Sequence, residues 1–210
     1  MQKKMLITFL VLIIGTSTTI KAQYTSQDTT FKKWFIGTSV FVLLGNAFES
    51  ENPPNFAQLD LGFRLNGKDI LRLSPKTWKY AWPNGIHPFL NSAYKKQEER
   101  FPGYVREIGI TASYQRFFWK NFYAQLDIMP THQIFVGVND KKIGNGFQIF
   151  NSYRMGYHFK FCKDRFFFQP SVCMTHRAYH TPLPNGFKQL DDKWPKTIFP
   201  EPGLNIGVNF

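Results

Sequence analysis

The chain has 210 residues, of which 26 are Lys or Arg and 14 are Asp or Glu, so its formal net charge is +12 at pH 7. Most of the basic residues stand singly among aromatic ones, and no recognition helix is evident. The charge therefore favours attraction to lipid phosphates over nucleic-acid binding. The mean hydropathy is negative and no long apolar run follows the first 22 residues, which argues against a protein that crosses a membrane with helices.

The first 22 residues have the composition of a secretory signal peptide. Two lysines open the segment, an apolar run extends over Met5–Gly15, and the small residue Ala22 marks a cleavage point. The run is too short for a comfortable transmembrane helix. We therefore predict an exported protein, with residues 1–22 as signal peptide and residues 23–32 as a polar lead-in. Cleavage removes three lysines, which lowers the formal charge from +12 to +9.

Eight segments of alternating apolar and polar residues follow, and this pattern is typical of β-strands. The predicted strands are Lys33–Gly45, Asn55–Leu65, Asp69–Lys76, Tyr104–Phe118, Phe122–Met129, Gly146–Phe161, Arg165–Thr175 and Phe199–Phe210. Their connections alternate between long and short. An up-and-down barrel of the outer membrane has this alternation, with short turns on the periplasmic side and long loops outside.

The three short connections agree with the faces of the strands that they join. Successive side chains of a strand point to opposite faces, so the apolar positions determine whether a turn has an odd or an even number of residues. The second and third strands require the three-residue turn Asn66–Lys68, with Gly67 at positive φ. The fourth and fifth strands require another odd turn, Trp119–Asn121. The sixth and seventh strands require an even turn, which Lys163–Asp164 supplies.

The two cysteines, Cys162 and Cys173, are predicted to be free thiols. If the hairpin turns at Lys163–Asp164, Cys173 stands nine residues along its strand from the turn, roughly 30 Å away. A disulfide needs α-carbons within about 7 Å of each other. No Cys/His spacing resembles a metal site, so the sequence predicts neither a metal nor a cofactor.

The chain ends in the alternating run GLNIGVNF. Together with the signal peptide and the eight strands, this run resembles the small OmpA/OmpX-type outer-membrane barrels over nearly the whole mature chain. The resemblance implies an all-β fold over residues 33–210, an eight-stranded antiparallel up-and-down transmembrane β-barrel located in the outer membrane. Its implied partners are outer-membrane lipids, lipopolysaccharide and the barrel-assembly machinery, which would read Phe210 as an assembly signal. The alternative is that Phe210 fills a soluble core.

Seven polar residues lie opposite the lipid-facing positions and are predicted to form a network in the lumen. They are Asp60, Arg72, Glu107, Asp127, Arg154, His158 and Glu201. An eight-stranded barrel has room only for its own side chains, and buried charges must be paired, so the mixed signs favour a structural network. All except Glu107 and His158 are expected at mid-height. A narrow gated channel is the functional alternative.

A lipid-modifying enzyme, similar to a lipid A acyl hydrolase, is the rival interpretation. It would need a hydroxyl nucleophile, a histidine base and an acid within reach of one another. The candidates near the outer rim are Ser171, Thr175, His176, His180 and Glu201, but the adjacent Thr175 and His176 face opposite sides of a strand. The sequence therefore predicts no catalytic site. The expected role is structural, or interaction with a surface ligand through the long, aromatic-rich outer loops.

Overall fold

The alternation of the sequence appears as ten strands in the part of the chain that the structure describes. The computed structural model describes residues 32–40, 54–88 and 90–210. The predicted signal peptide, most of the lead-in and the second half of the predicted first strand lie outside the described residues. The strands are β1 (Trp34–Ser39), β2 (Ala57–Gln58), β3 (Asp60–Arg64), β4 (Asp69–Tyr80), β5 (Tyr104–Trp119), β6 (Phe122–Val136), β7 (Lys142–Tyr157), β8 (Phe159–Phe161), β9 (Phe166–His180) and β10 (Thr197–Asn209).

Helices occur only in the connections of the described part of the chain. Two 3₁₀ helices cover Ser92–Lys95 and Gln97–Glu99, and one α-helix, α1, covers Asn185–Asp191. None of the helices described is long and apolar enough to cross a membrane.

The strands form one antiparallel sheet that closes in a ring. The order around the ring is β10, β1, β3, β4, β5, β6, β7 and β9, and β9 pairs again with β10. Closure places Ile36 of β1 opposite Val208 of β10. The predicted second strand is divided at Leu59 into β2 and β3, and the predicted sixth strand is divided at His158 into β7 and β8. The predicted all-β class and antiparallel order are confirmed.

The ring carries polar side chains inside and apolar side chains outside. On β5, Glu107 is fully buried, whereas Ile108 and Ile110 on the alternate face are 53% and 55% exposed. On β6, Asp127 is 6% exposed and Ile128 is 47% exposed. A soluble sheet protein packs its apolar face into the core, so this ring has the opposite arrangement. The predicted faces of these strands are confirmed.

The turn between β3 and β4 is held by Asn66. Its side-chain oxygen accepts hydrogen bonds from the backbone N–H groups of Lys68 and Asp69, at 2.7 and 2.8 Å, which is the pattern of an Asx turn. The three-residue length is as predicted, and Leu65 N–H donates to the carbonyl of Asp69 at 2.9 Å. The predicted positive φ of Gly67 is wrong, because the asparagine side chain stabilises this turn without it.

The turn between β5 and β6 is shorter than predicted. Only Lys120 and Asn121 connect the two strands, and Lys120 has a φ of 48°. The register shifts between Phe117 and Trp119, so a bulge contains the residue that the prediction assigned to the turn. One bulged residue shifts the inward and outward positions of the following strand in the same way as one additional turn residue. The side chains of β5 and β6 therefore face the predicted sides.

The hairpin between β8 and β9 turns at Lys163–Asp164, as predicted. Both residues have positive φ, 55° and 60°, and the N–H of Arg165 donates to the carbonyl of Cys162 at 3.2 Å. Positive φ at both central residues is characteristic of a type I′ turn. The resulting register places Cys173 opposite Arg154. Cys162 is exposed, Cys173 is buried, and both thiols are free.

Several strands extend beyond their predicted ends, on the side of the long connections. The predicted long connection over residues 130–145 is wrong, because β6 continues to Val136 and β7 begins at Lys142. The outward position at His132 is polar and exposed, so the apolar alternation stops there although the backbone pairing continues. The strand ends were predicted from apolar alternation. This pattern depends on what surrounds a strand, not on how far its backbone pairing extends.

Two connections pack together at the end of the ring away from the short turns. We call residues 81–88, 90–103 and 181–196 the cover. Phe187 of α1 is fully buried and packs against Phe101 and Phe135, with ring centroids 4.8 and 5.4 Å apart. The indole N–H of Trp194 donates to Glu99 at 3.0 Å, which links the two connections. The cover therefore gives this end of the ring a hydrophobic core of its own.

Arg177 anchors α1 to the inner face of β9. Its guanidinium donates to both carboxylate oxygens of Asp191, at 3.0 and 2.5 Å, and both side chains are 2% exposed. Lys196 supplies a second cation at 2.5 Å. Burial alone raises the pKa of Asp191, but the hydrogen bonds from Arg177 and Lys196 outweigh burial and hold this pKa below its usual value. The ionised carboxylate therefore stabilises the folded cover.

The substitution Asp191→Asn should detach α1 from the ring, because it leaves the Arg177 guanidinium buried without its partner. Breaking one side of a buried pair costs about 3–5 kcal/mol, and hydrogen exchange of the α1 amides measures this opening free energy. Since the folded-state pKa of Asp191 is depressed, its contribution is complete above the unfolded value of about 3.9 and is lost as pH falls through the folded value. Opening of wild-type α1 should therefore become easier below about pH 4.

The control is Asp192→Asn, which removes the neighbouring carboxylate from an exposed pair with Lys188. This substitution should leave the exchange of α1 nearly unchanged, since exposed ion pairs contribute little. Equal protection of α1 in wild type and Asp191→Asn would contradict the anchoring role.

Candidate functional site

The interior of the ring contains several layers, and the layer beside the short turns is apolar. Five buried side chains form it, and the rings of Phe35 and Phe167 meet edge to face at 5.3 Å. The members are Phe35, Ile70, Phe117, Tyr123 and Phe167. These side chains occupy the short-turn end of the interior.

His158 lies on this apolar layer, apart from the other predicted network residues. Its ring stacks on Phe167 at 5.1 Å and meets Phe117 edge to face at 5.5 Å. Its Nδ1 is 2.6 Å from the side-chain nitrogen of Gln169, which also reaches Gln115 at 3.5 Å. These contacts assign His158 a packing position between the apolar layer and the polar layers above it.

An ion chain crosses the middle of the interior, formed by Asp60, Arg72, Asp127 and Arg154. The Arg72 guanidinium lies 3.8 Å from Asp60 and 4.0 Å from Asp127. Arg154 lies 3.7 Å from the other oxygen of Asp127. Arg154 is the most accessible member, with 18% of its side chain exposed. The structure thus brings together four of the seven residues predicted for the network.

Neutral side chains complete the surroundings of the two carboxylates. Asp60 accepts hydrogen bonds from the Ser74 hydroxyl at 2.5 Å and the Gln58 amide at 2.8 Å. Asp127 accepts one from the Gln125 amide at 2.6 Å. A buried charge has lost its water and needs such donors in addition to its counter-ion. The chain of ions is therefore embedded in hydrogen bonds that fix its geometry.

Gly203 makes room for Arg154. A Cβ atom at this position would lie 2.2 Å from Nη1 of Arg154 and 2.7 Å from the Ser171 hydroxyl, to which Arg154 donates at 2.8 Å. Any larger residue would displace the guanidinium. This role was not predicted, although the alternation of β10 already places Gly203 on the inner face.

Glu201 and Lys76 extend this charged layer. Glu201 accepts hydrogen bonds from the Thr175 hydroxyl at 2.7 Å and the Cys173 thiol at 3.4 Å. Lys76 is within electrostatic range of Glu201 and of the ion chain. The layer therefore contains three carboxylates and three cations. Lys76 was not predicted as a member, although its even position on β4, four residues after Arg72, indicates an inward side chain.

Glu107 belongs to a separate cluster nearer the cover. Its carboxylate accepts hydrogen bonds from the Tyr80 hydroxyl at 2.6 Å and from the amides of Gln133, at 3.2 Å, and Gln148. Glu107 and the two glutamines are at most 1% exposed. The prediction placed Glu107 in the same network as the ion chain, and this grouping is not what the structure shows. Tyr80 and Gln133 were missed because the predicted strands ended before them.

The candidate catalytic residues are not arranged as a nucleophile, base and acid. Thr175 points inward and donates to Glu201. His176 is bonded instead to Thr197 at 3.0 Å, and His180 to the carbonyl of Thr181 at 2.9 Å. Ser171 contacts Arg154 and the carbonyl of Gly203. In the described ranges, no group of three His, Cys, Asp or Glu side chains could hold a metal ion.

Replacing Arg154 by Ala should destabilise the folded protein by about 3–5 kcal/mol, because it leaves Asp127 with one distant counter-ion in a buried layer. The measurement is the free energy of unfolding by denaturant. Arg116→Ala is the matched control, since Arg116 makes a shorter ion pair with Asp69, at 3.1 Å, but is 48% exposed. Its loss should cost at most about 1 kcal/mol. Equal effects of the two substitutions would mean that the ion chain is hydrated.

Comparison with known proteins adds no relative to this description. No protein-family profile, no curated protein and no solved structure matches the chain.

Proposed function

We propose that the chain is an integral outer-membrane protein, an eight-stranded up-and-down transmembrane β-barrel whose role is structural or surface interaction. The observation that carries the proposal is the reversed ring, with charged and amide side chains inside and large apolar side chains outside. Water would make this outer surface unfavourable, whereas the hydrocarbon core of a bilayer would favour it. The eight strands are the ten of the ring with β2–β3 and β7–β8 counted as interrupted single strands.

The height of the apolar surface supports this location. On the outer face of β5, the charged residues Arg106 and Arg116 are ten positions apart. The outward residues between them are Ile108, Ile110, Ala112 and Tyr114. With a rise of about 3.3 Å per residue and a tilt of about 40°, ten residues span roughly 25 Å across a membrane. Outer-membrane barrels have an apolar band of about 25 Å.

An aromatic band on the outer face near the short turns also supports a location in the membrane. Successive rings are in contact across neighbouring strands, with centroids 4.5 to 6.2 Å apart. Aromatic side chains of this kind anchor barrels at the boundary between lipid and water. The band consists of Trp119, Phe122, Tyr157, Phe159, Phe161, Phe166 and Phe168.

The filled interior favours a structural barrel over a channel. The apolar layer, the ion chain, the Glu107 cluster and the cover occupy successive levels along the axis. An eight-stranded barrel has little space beyond its own side chains. The cover would face outside the cell, where it is the surface available to a ligand, and Leu90 within it is 67% exposed.

The location is tested by fractionating cells that express the full chain. We expect the protein in the outer-membrane fraction, with a mobility in gel electrophoresis that changes on boiling, as for a barrel that resists detergent. Recovery as a folded, soluble periplasmic protein would refute the proposal.

The apolar surface gives a sharper test. Leu73 is 56% exposed on the outer face, and its partner in the ladder is Ala112, at mid-height. In water, Leu73→Arg would change stability by at most about 0.5 kcal/mol, but in a bilayer it should cost about 2–4 kcal/mol. The control is Val138→Arg, because Val138 is 81% exposed in the loop beyond the band. Equal tolerance of the two substitutions in refolding titrations with lipid vesicles would contradict a lipid-facing Leu73.

The exposed position of Phe210 supports the proposal that it acts as an assembly signal. Its backbone exchanges hydrogen bonds with Trp34, at 2.9 and 3.1 Å, while 66% of the residue is exposed. Phe210→Ala should therefore retain the ring and lose at most about 1.5–3 kcal/mol of apolar burial. If the machinery reads this residue, the variant should refold nearly normally in detergent yet accumulate outside the membrane in cells, while Phe210→Tyr inserts. Normal membrane yield of the Ala variant would exclude the signal.

A further inference from the structure

The lipid-facing wall is not uniform, because a groove interrupts it on the outer face of β2, β4, β5 and β6. Its volume is about 790 Å³ and its lining is almost entirely apolar. The residues that shape it are Leu59, Pro75, Thr77, Ile108, Ile110 and Pro130. A groove of this size lies in the range of ligand-binding clefts.

Two prolines and several small side chains account for the groove. Pro75 is the ladder partner of Ile110. Pro130 lies on β6 in a short gap of the β5–β6 ladder, between the pairs Gly109–Thr131 and Ala112–Ile128. Proline has no N–H to donate and a short, flat side chain. Short side chains on the outer face therefore leave a depression between the neighbouring long side chains.

Two cations stand directly beyond the groove on the same face. Lys79 and Arg106 are ladder partners. Lys79 lies two positions after the groove residue Thr77, and Arg106 lies two positions before the groove residue Ile108. Two strand residues span about 7 Å. The Lys79 ammonium lies 5.1 Å above the ring of Tyr104. Neither cation has an ion-pair partner among the described residues.

We propose that this face binds a single anionic, phosphate-bearing lipid, with its phosphate between Lys79 and Arg106 and one acyl chain in the groove. The inference rests on the proposed membrane location and adds a defined lipid to it. An acyl chain matches the apolar lining. A phosphate matches the two cations at the boundary of the apolar band, which have no ion-pair partner among the described residues. The two cations lie about 7 Å along the strands from the groove. A headgroup bound between them would therefore be next to an acyl chain bound in the groove.

The test is native mass spectrometry of the full mature chain refolded in detergent. The added probes are dimyristoyl phosphatidylglycerol, dimyristoyl phosphatidylcholine or inorganic phosphate. The wild type should bind one phosphatidylglycerol at least tenfold more tightly than phosphatidylcholine, and phosphate alone should not bind. The double variant Lys79→Gln/Arg106→Gln should lose roughly thirtyfold in affinity for phosphatidylglycerol, from two charges near a lipid surface.

Filling the groove tests the acyl chain separately. Ile110→Trp should weaken the binding of both lipids by a similar factor and preserve the preference for the anionic lipid. Lys120→Gln/Lys163→Gln is the matched control, since it removes two charges from the short turns and should leave binding unchanged. All variants are first shown to fold by their change in mobility on boiling, and Ile110→Phe replaces the Trp variant if that one fails to fold.

Three results would overturn the lipid site. They are equal affinity for the two lipids, equal loss in the control double variant, and binding of inorganic phosphate as tight as that of phosphatidylglycerol. A protein that inserts into membranes and gives any of these results would lose the lipid site alone. A protein that is folded and soluble without detergent would refute the membrane location, and the lipid site with it.

Discussion

Charge balance inside a closed ring is the constraint on which the rest of the structure depends. Once β10 pairs with β1, each inward side chain is confined with the others, and water cannot compensate an unpaired ion. The charged layer meets this condition by alternating signs from Asp60 to Arg154. The three carboxylates of this layer also accept hydrogen bonds from Ser, Thr, Gln and Cys side chains. Gly203 contributes to this charge balance, since the guanidinium of Arg154 occupies the space that a side chain at position 203 would fill.

The outer surface obeys the opposite requirement, and the two requirements together explain the alternation of the strands. Every second residue must be apolar if it faces hydrocarbon, and every other one must be small, neutral or paired if it faces the interior. A hydrophobic core in the usual sense is confined to the two ends, the apolar layer beside the short turns and the cover. Between them the backbone ladder, closed on itself, satisfies the main-chain groups.

Sequence reasoning predicted the features that depend on neighbouring residues. The faces of β3 to β9 and the Lys163–Asp164 turn follow from parity, and the structure reproduces them. The prediction of a positive φ at Gly67 failed, because hydrogen bonds to the Asn66 side chain stabilise this turn without that backbone conformation. Sequence reasoning also ended β4 and β6 too early, because apolar alternation marks contact with lipid or core and not the extent of backbone pairing. Tyr80 and Gln133 were lost from the candidate site for this reason.

The hydrogen bonds between Trp34 and Phe210 have a consequence for the order of events during biogenesis. They join residues 176 positions apart, so the seam of the ring has the longest loop to close and the largest entropic cost. Until β10 arrives, a growing sheet presents two unpaired edges, which are templates for pairing with other chains. Under the proposed location, the exported polypeptide must therefore travel unfolded and under the protection of periplasmic chaperones, and its residence time between the two membranes sets its exposure to aggregation.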